Sequence, residues 1–141
     1  MTGVAYSSRR FTFSAAHRYW VDAWSTEENE RFFGRLTIPH GHNYTLEVTV
    51  RGEVAPGTGM VMNLTDLMEI LQGRVLPRLD HKHLNLDVPS LRDVIPTAEN
   101  IAIALWNEIE PEIRRFPACR LHRIRLQESR ANSVEYFGPE R

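Results

Sequence analysis

Several absences narrow the reading of this chain before any motif does. Of its 141 residues only one, Cys119, is a cysteine, which excludes an intrachain disulfide and a cysteine-built zinc site. Any zinc must be held by histidines and carboxylates. No apolar run approaches the roughly 18 residues that span a bilayer. The opening Met1-Thr-Gly-Val-Ala-Tyr-Ser-Ser-Arg-Arg has no apolar core of signal-peptide length, so the expected compartment is the cytoplasm and no membrane partner is expected. A charge excess is also missing. Seventeen Lys and Arg against eighteen Asp and Glu leave a net charge of −1, which argues against a nucleic-acid partner. No repeat or low-complexity segment is present. The length suits one domain, residues 1–141, with one core.

Alternation marks the strands. Residues 4–13 alternate weakly and end in Phe11-Thr-Phe13. Across 42–53, Tyr44, Leu46, Val48 and Val50 share one face while Thr45, Glu47 and Thr49 share the other, as in a half-buried antiparallel strand. Between them, residues 20–39 scatter Trp20, Trp24, Phe32 and Phe33 among charges and read as a long loop with a helical turn. After the turn at Pro56-Gly57-Thr58-Gly59 the period changes. Leu64, Leu67, Met68, Leu71, Val75 and Leu79 form a helix stripe, capped by Asn63 or Thr65 and ending near Asp80. A second helix opens at Thr97, with Ile101, Ala104, Leu105 and Ile109 as its stripe; Pro111 is expected to end or kink it. Residues 120–128 and 133–137 close the chain as strands. The order ββααββ specifies α+β, with helices on one face of a four-stranded antiparallel sheet.

Three histidines carry the chemistry. His40 and His42 flank a glycine at a spacing that points both side chains the same way on a strand. His17 follows the first strand. Three imidazoles can hold one zinc and leave its fourth position open, the form of a catalytic site. A chance His-x-His on a surface strand is the competing reading. Asp80 and His81 are adjacent, so the carboxylate can orient the imidazole as a general acid or base. A helix C-terminus dressed with cations to suit its dipole explains the same residues. Glu128, at the end of an Arg-rich strand, can grip two side-by-side N–H donors through both oxygens, or can be an exposed strand end. Glu99, in a first helical turn, is explained by the dipole alone. Cys119 reads as a small apolar residue.

Taken in order, Phe13-Ser-Ala-Ala-His17, His40-Gly-His-Asn-Tyr44, Gly59-Met-Val-Met-Asn-Leu-Thr-Asp-Leu67, Leu79-Asp-His-Lys-His-Leu-Asn-Leu-Asp-Val-Pro89, Pro96-Thr-Ala-Glu-Asn100 and Gln127-Glu-Ser129 resemble the 6-pyruvoyl-tetrahydropterin synthase family, which includes 6-carboxy-tetrahydropterin synthase of queuosine synthesis. Asn132-Ser-Val-Glu-Tyr136 extends the match, which covers nearly the whole chain. The resemblance implies the tunnelling fold, a homohexamer of two stacked trimers, and a pterin pocket between subunits. It makes His17, His40 and His42 the zinc ligands and Asp80 with His81 the acid–base dyad. Glu128 becomes the anchor for the pterin's amino edge, with Thr97 and Glu99 lining the pocket. The family substrate is 7,8-dihydroneopterin triphosphate. One departure stands out. The family cysteine that moves a proton at the side-chain carbon falls at Leu36, after Phe33-Gly34-Arg35. Thr37 is next in line, but an unassisted hydroxyl is a poor base. The expectation is a lyase with altered output, such as 6-hydroxymethyl-dihydropterin. A 6-carboxy-tetrahydropterin synthase and a zinc and pterin binder without turnover are the alternatives.

Overall fold

The structure, a computed structural model, describes residues 3–140; Met1, Thr2 and Arg141 lie outside the described residues. Two long strands form its centre. β1 (Val4–His17) and β2 (His40–Glu53) pair antiparallel along their whole length, from Val4 opposite Glu53 to His17 opposite His40. β4 (Cys119–Gln127) adds to the far side of β2, and β5 (Ser133–Tyr136) adds to β4. The sheet has one more strand than expected. The two-residue β3 (Lys82–His83) runs parallel to β1 at Ala15 and Ala16, giving the order β3-β1-β2-β4-β5. So short a strand carries no periodicity to read.

Alternation sorts the sheet into two unlike faces. Phe11, Phe13 and Ala15 of β1, Tyr44, Leu46, Val48 and Val50 of β2, and Leu121, Ile124 and Leu126 of β4 are buried against the helices. The step of three from Leu121 to Ile124 breaks a period of two. It is absorbed by a bulge: Val50 faces Leu121 while Thr49 faces Arg123, so His122 is the extra residue. The other face carries a polar ladder across four strands. Arg10 bonds Glu47, Glu47 bonds Arg123, and Arg123 reaches Glu135 at 3.0 Å.

α2 (Leu64–Ile70) is capped by Asn63, whose side chain accepts from the Thr65 N–H. The helical path then widens into a π turn over Leu71–Val75 and tightens into a 3₁₀ turn over Leu76–Arg78. This change of period corrects the stripe: Ile70 and Leu76 join the core beside Leu67, Leu71, Val75 and Leu79, whereas Leu64 and Met68 are only half-buried. After the single-turn α3 (Leu84–Asp87), α4 (Ala98–Ile113) opens at Thr97, whose hydroxyl accepts from the Asn100 N–H. Pro111 does not end α4, which continues two residues further to Ile113. It sits in the last turn, where it removes one intrahelical hydrogen bond, to the Asn107 carbonyl, without ending the helix.

The segment 20–39 is more ordered than expected. α1 (Thr26–Phe33) is capped by the Ser25 hydroxyl, which accepts from the Glu28 N–H, and carries Glu27 and Glu28 in its first turn. Its organiser is the fully buried Asn29. That side chain accepts from the Val21 N–H and donates to the carbonyls of Val21 and Ser25. A 3₁₀ turn over Gly34–Thr37 then delivers the chain to β2.

Candidate metal centre and adjoining cleft

The same alternation that buries Phe11, Phe13 and Ala15 carries His17 onto the core face, where it is 0 % exposed. His42 and His40 extend the face of Tyr44 in the same way. Because His17 lies opposite His40 in the ladder, the three rings converge, with centroids 4.6 to 5.1 Å apart. One nitrogen from each lies within 4.8 Å of the others.

Backbone carbonyls fix which nitrogens these are. Nδ1 of His17 is 2.8 Å from the Pro96 carbonyl, just ahead of α4, and Nδ1 of His40 is 2.7 Å from the Ile38 carbonyl. A carbonyl only accepts, so each Nδ1 carries the hydrogen and each Nε2 presents a lone pair. The Nε2 atoms of all three histidines are buried without a partner. Leaving one such acceptor unpaired costs about 1–3 kcal/mol, and three aimed together make a site that a cation relieves. Burial holds His17 neutral, with its pKa lowered to about 4, and the neighbouring His40 and His42 act in the same direction. Burial lowers His42 as well, against the pull of Glu128. Neutral imidazoles are the form that binds a metal.

Asp80 and His81 form a different kind of pair. The carboxylate accepts from the Ser14 N–H at 2.9 Å and lies 3.0 Å from His81 Nδ1. The Ser14 N–H is the largest influence holding Asp80 below the usual carboxylate range, with the His81 contact adding to it. The His81 N–H in turn donates to the Ser14 carbonyl at 2.6 Å. His81 occupies the left-handed region, with φ of 62°. For a non-glycine residue that conformation costs about 1–3 kcal/mol and is kept where the surroundings impose it. One strand residue thus pins both members of the pair. A cleft of about 550 Å³ runs between this turn and the sheet, and His81, Lys82, His83 and His42 all line it.

Glu128, one residue past β4, is drawn back by its N–H to the Asn132 carbonyl. One carboxylate oxygen comes to 3.7 Å of His42 Nε2, and the other is buried without a partner. Thr97 lies beside the trio, next to the Pro96 carbonyl that holds His17, with its hydroxyl engaged by the helix cap. Glu99 is exposed in the first turn of α4. Thr37 is not available as a base, because its hydroxyl donates to the Gly34 carbonyl. Leu36 is 39 % exposed. Cys119 pairs with Gly52 at the end of β2 opposite to His40, and burial raises its thiol pKa.

Three residues with no role in the sequence reading join this region. The ring of Tyr44 packs 5.6 Å from His42, and its phenol pKa is raised by burial and then by Glu128. Tyr19 stands edge-on to His17 at 5.2 Å, with its pKa pushed up to about 12 by burial, then by Glu128 and Glu99. His83 has a buried Nδ1 without a partner. The sequence signal for Tyr19 is its spacing of two from His17, which continues the face of Phe13 and Ala15.

Comparisons with known proteins bear on the family and the fold. A family profile described as 6-pyruvoyl tetrahydropterin synthase matches residues 6–139. The 6-pyruvoyl tetrahydrobiopterin synthase of Homo sapiens is 43 % identical over 136 residues, covering 95 % of this chain and 92 % of that protein. A dihydroneopterin monophosphate aldolase of Pyrococcus furiosus is 36 % identical over 128 residues, covering 89 % and 91 %. The solved 6-pyruvoyl tetrahydropterin synthase of Caenorhabditis elegans superposes with a TM-score of 0.90 at 32 % identity, covering 97 % of each chain.

Proposed function

The chain belongs to the 6-pyruvoyl tetrahydropterin synthase family and is an enzyme of it, and on that premise we propose a zinc-dependent lyase that cuts a carbon–carbon bond. Its substrate is 7,8-dihydroneopterin triphosphate or a related reduced pterin, and its pterin product is 6-hydroxymethyl-dihydropterin. The observation that carries the proposal is Leu36 standing where the family thiol falls, in a site that keeps Asp80, His81 and the three histidines. A side chain without a titratable group cannot take the carbon-bound proton that pyruvoyl formation requires. Cleavage requires only an O–H proton to be taken. The aldolase name borne by the Pyrococcus furiosus relative supports this division of labour within one family.

In this reading His17, His40 and His42 hold the zinc through Nε2. A divalent ion there supplies Lewis-acid polarisation and lowers the pKa of a substrate hydroxyl. Glu128 accepts the pterin's amino and ring N–H donors through its two oxygens. Thr97 and Glu99 line the pterin pocket. Asp80 keeps the hydrogen of His81 on Nδ1, leaving Nε2 as the base. His81 removes the proton of the second side-chain hydroxyl, whose oxygen becomes an aldehyde as the bond to the first side-chain carbon breaks. The released electron pair passes into the pterin ring. A proton added at that first carbon completes the hydroxymethyl group, and the phosphates leave on the aldehyde fragment. No oxidant or reductant is consumed.

One domain, residues 1–141, working in the cytoplasm as a homohexamer of two stacked trimers with pockets between subunits belongs to the same reading. No helix among the described residues is long and apolar enough to cross a membrane. β1 pairs with β3 only at Ala15 and Ala16, which leaves a long free edge suited to a second copy. The test is to incubate the zinc-loaded protein with 7,8-dihydroneopterin triphosphate and identify the pterin released. The hydroxymethyl product is expected, and Leu36→Cys should gain a pyruvoyl product. A dominant pyruvoyl product from the unaltered protein would reject the altered output.

A further inference from the structure

His17 is held at the end of β1 by more than its pairing with His40. The Asn85 side chain accepts from the Arg18 N–H at 2.9 Å and donates to the Arg18 carbonyl at 3.0 Å, which fixes the backbone just past His17. The ring is held separately. Its Nδ1 is 2.8 Å from the Pro96 carbonyl, and the Tyr44 hydroxyl also stands near, at 3.4 Å. These two neighbours favour opposite tautomers. A carbonyl only accepts, so it keeps the hydrogen on Nδ1. A hydroxyl can donate to Nδ1 and leave the hydrogen on Nε2. The Pro96 carbonyl therefore decides whether Nε2 of His17 offers a lone pair.

The turn that carries this carbonyl is tied to α4 by a side chain. The Thr97 N–H donates to the Ile95 carbonyl at 2.7 Å, closing a three-residue turn with the buried Pro96 at its centre. The Asn100 amide donates to the same Ile95 carbonyl at 2.8 Å. Asn100 is the third residue of α4, and the Thr97 hydroxyl accepts from its N–H. A glutamate or glutamine at this place of a helix turns back to bond the N–H of the capping residue. Asn100 instead leaves the Thr97 N–H to the turn and adds a second donor to it, although asparagine is a weak helix former. Resting on the histidine trio as the metal site of the function proposed above, we propose that Asn100 is a positioning residue of that site. It holds the turn from Ile95 to Thr97 so that the Pro96 carbonyl keeps Nε2 of His17 free for metal.

Two variants separate this role from a part in the fold alone. Asn100→Glu removes the donor but completes the helix cap and suits the helix N-terminus, so the thermal midpoint of the metal-free protein should stay at or above the wild-type value. Asn100→Ala removes the donor without adding a charge that could attract a cation. Chelator competition with zinc should show affinity reduced about 10–100-fold in both. Nitrogen-15 NMR of the metal-free proteins should find the His17 hydrogen on Nδ1 in the wild type and partly on Nε2 in the variants. Wild-type zinc affinity with the wild-type tautomer in Asn100→Ala overturns the role of Asn100 and leaves the metal site intact. A metal-free midpoint in Asn100→Glu that falls along with the affinity also overturns it, since Asn100 then serves only the fold. A wild-type protein that holds no zinc overturns both this role and the metal site.

Discussion

The histidines of this protein occupy two kinds of place. His17, His40 and His42 lie at the end of a sheet face whose core is already paid for by Phe13, Tyr44 and Leu46. The Nδ1 atoms of His17 and His40 are tied to backbone carbonyls, and all three Nε2 atoms are buried. His81 lies in a left-handed turn with 83 % of its side chain exposed, oriented by a carboxylate that is itself held by one strand N–H. The difference teaches a division of tasks. A metal grip needs three atoms fixed to within tenths of an ångström, which a two-strand ladder supplies. A base needs reach and a defined tautomer, which an exposed ring with one bound nitrogen supplies.

The largest effect should come from breaking the grip. His42→Ala removes one of three ligands, and metal affinity should fall by about 10²–10³-fold, judged from roughly 3–4 kcal/mol per ligand. A chelator competition measures it. His81→Ala in the same assay should bind metal as the wild type does. Equal losses in the two variants would erase the distinction.

A second effect, on turnover and not on metal affinity, should come from the turn. Asp80→Asn keeps an oxygen for the Ser14 N–H but loses the charge that fixes the tautomer of His81. Turnover should drop by about 10²–10⁴-fold with zinc content unchanged. A loss of zinc on this substitution would place Asp80 in the support of the trio instead.

The same contrast explains what could be read from residues alone. The trio was legible because it obeys strand arithmetic: His40 and His42 are two apart, and His17 sits at the end of a neighbouring strand. Asp80 and His81 were legible as neighbours in sequence. The bond from Ser14, sixty-six residues away, that holds them was not. Glu128 depended on resemblance, since nothing local distinguishes it from an exposed strand end. α1 was hidden because Asn29, a weak helix former, is satisfied by Val21 and Ser25 rather than by any periodic pattern. β1 runs four residues beyond Phe13 because pairing with β2 overrides the weak strand preference of Ser14, Ala15 and Ala16. The π turn after Ile70 shifts which side chains face inward, and no stripe drawn at a constant period anticipates it.

The smallest effect separates the two places along the pH axis, in the metal-free protein. Unfolded, His17 takes up a proton near its ordinary value of 6.5; folded, it resists until about 4. Between these values the unfolded chain binds more protons, so stability falls as pH falls through that window. The loss for His17 is on the order of 3 kcal/mol at most, and the lowered pKa of His42 adds to it in the same direction. Asp80 acts later. Its folded pKa lies below the ordinary 3.8, so its contribution is present above that value and fades only as pH drops further. Denaturant titrations of metal-free protein at successive pH values should show the first decline between 6.5 and 4, flattened in His17→Gln and retained in Asp80→Asn. A slope in that window that survives His17→Gln unchanged would mean that burial of this imidazole is not what the metal-free fold resists.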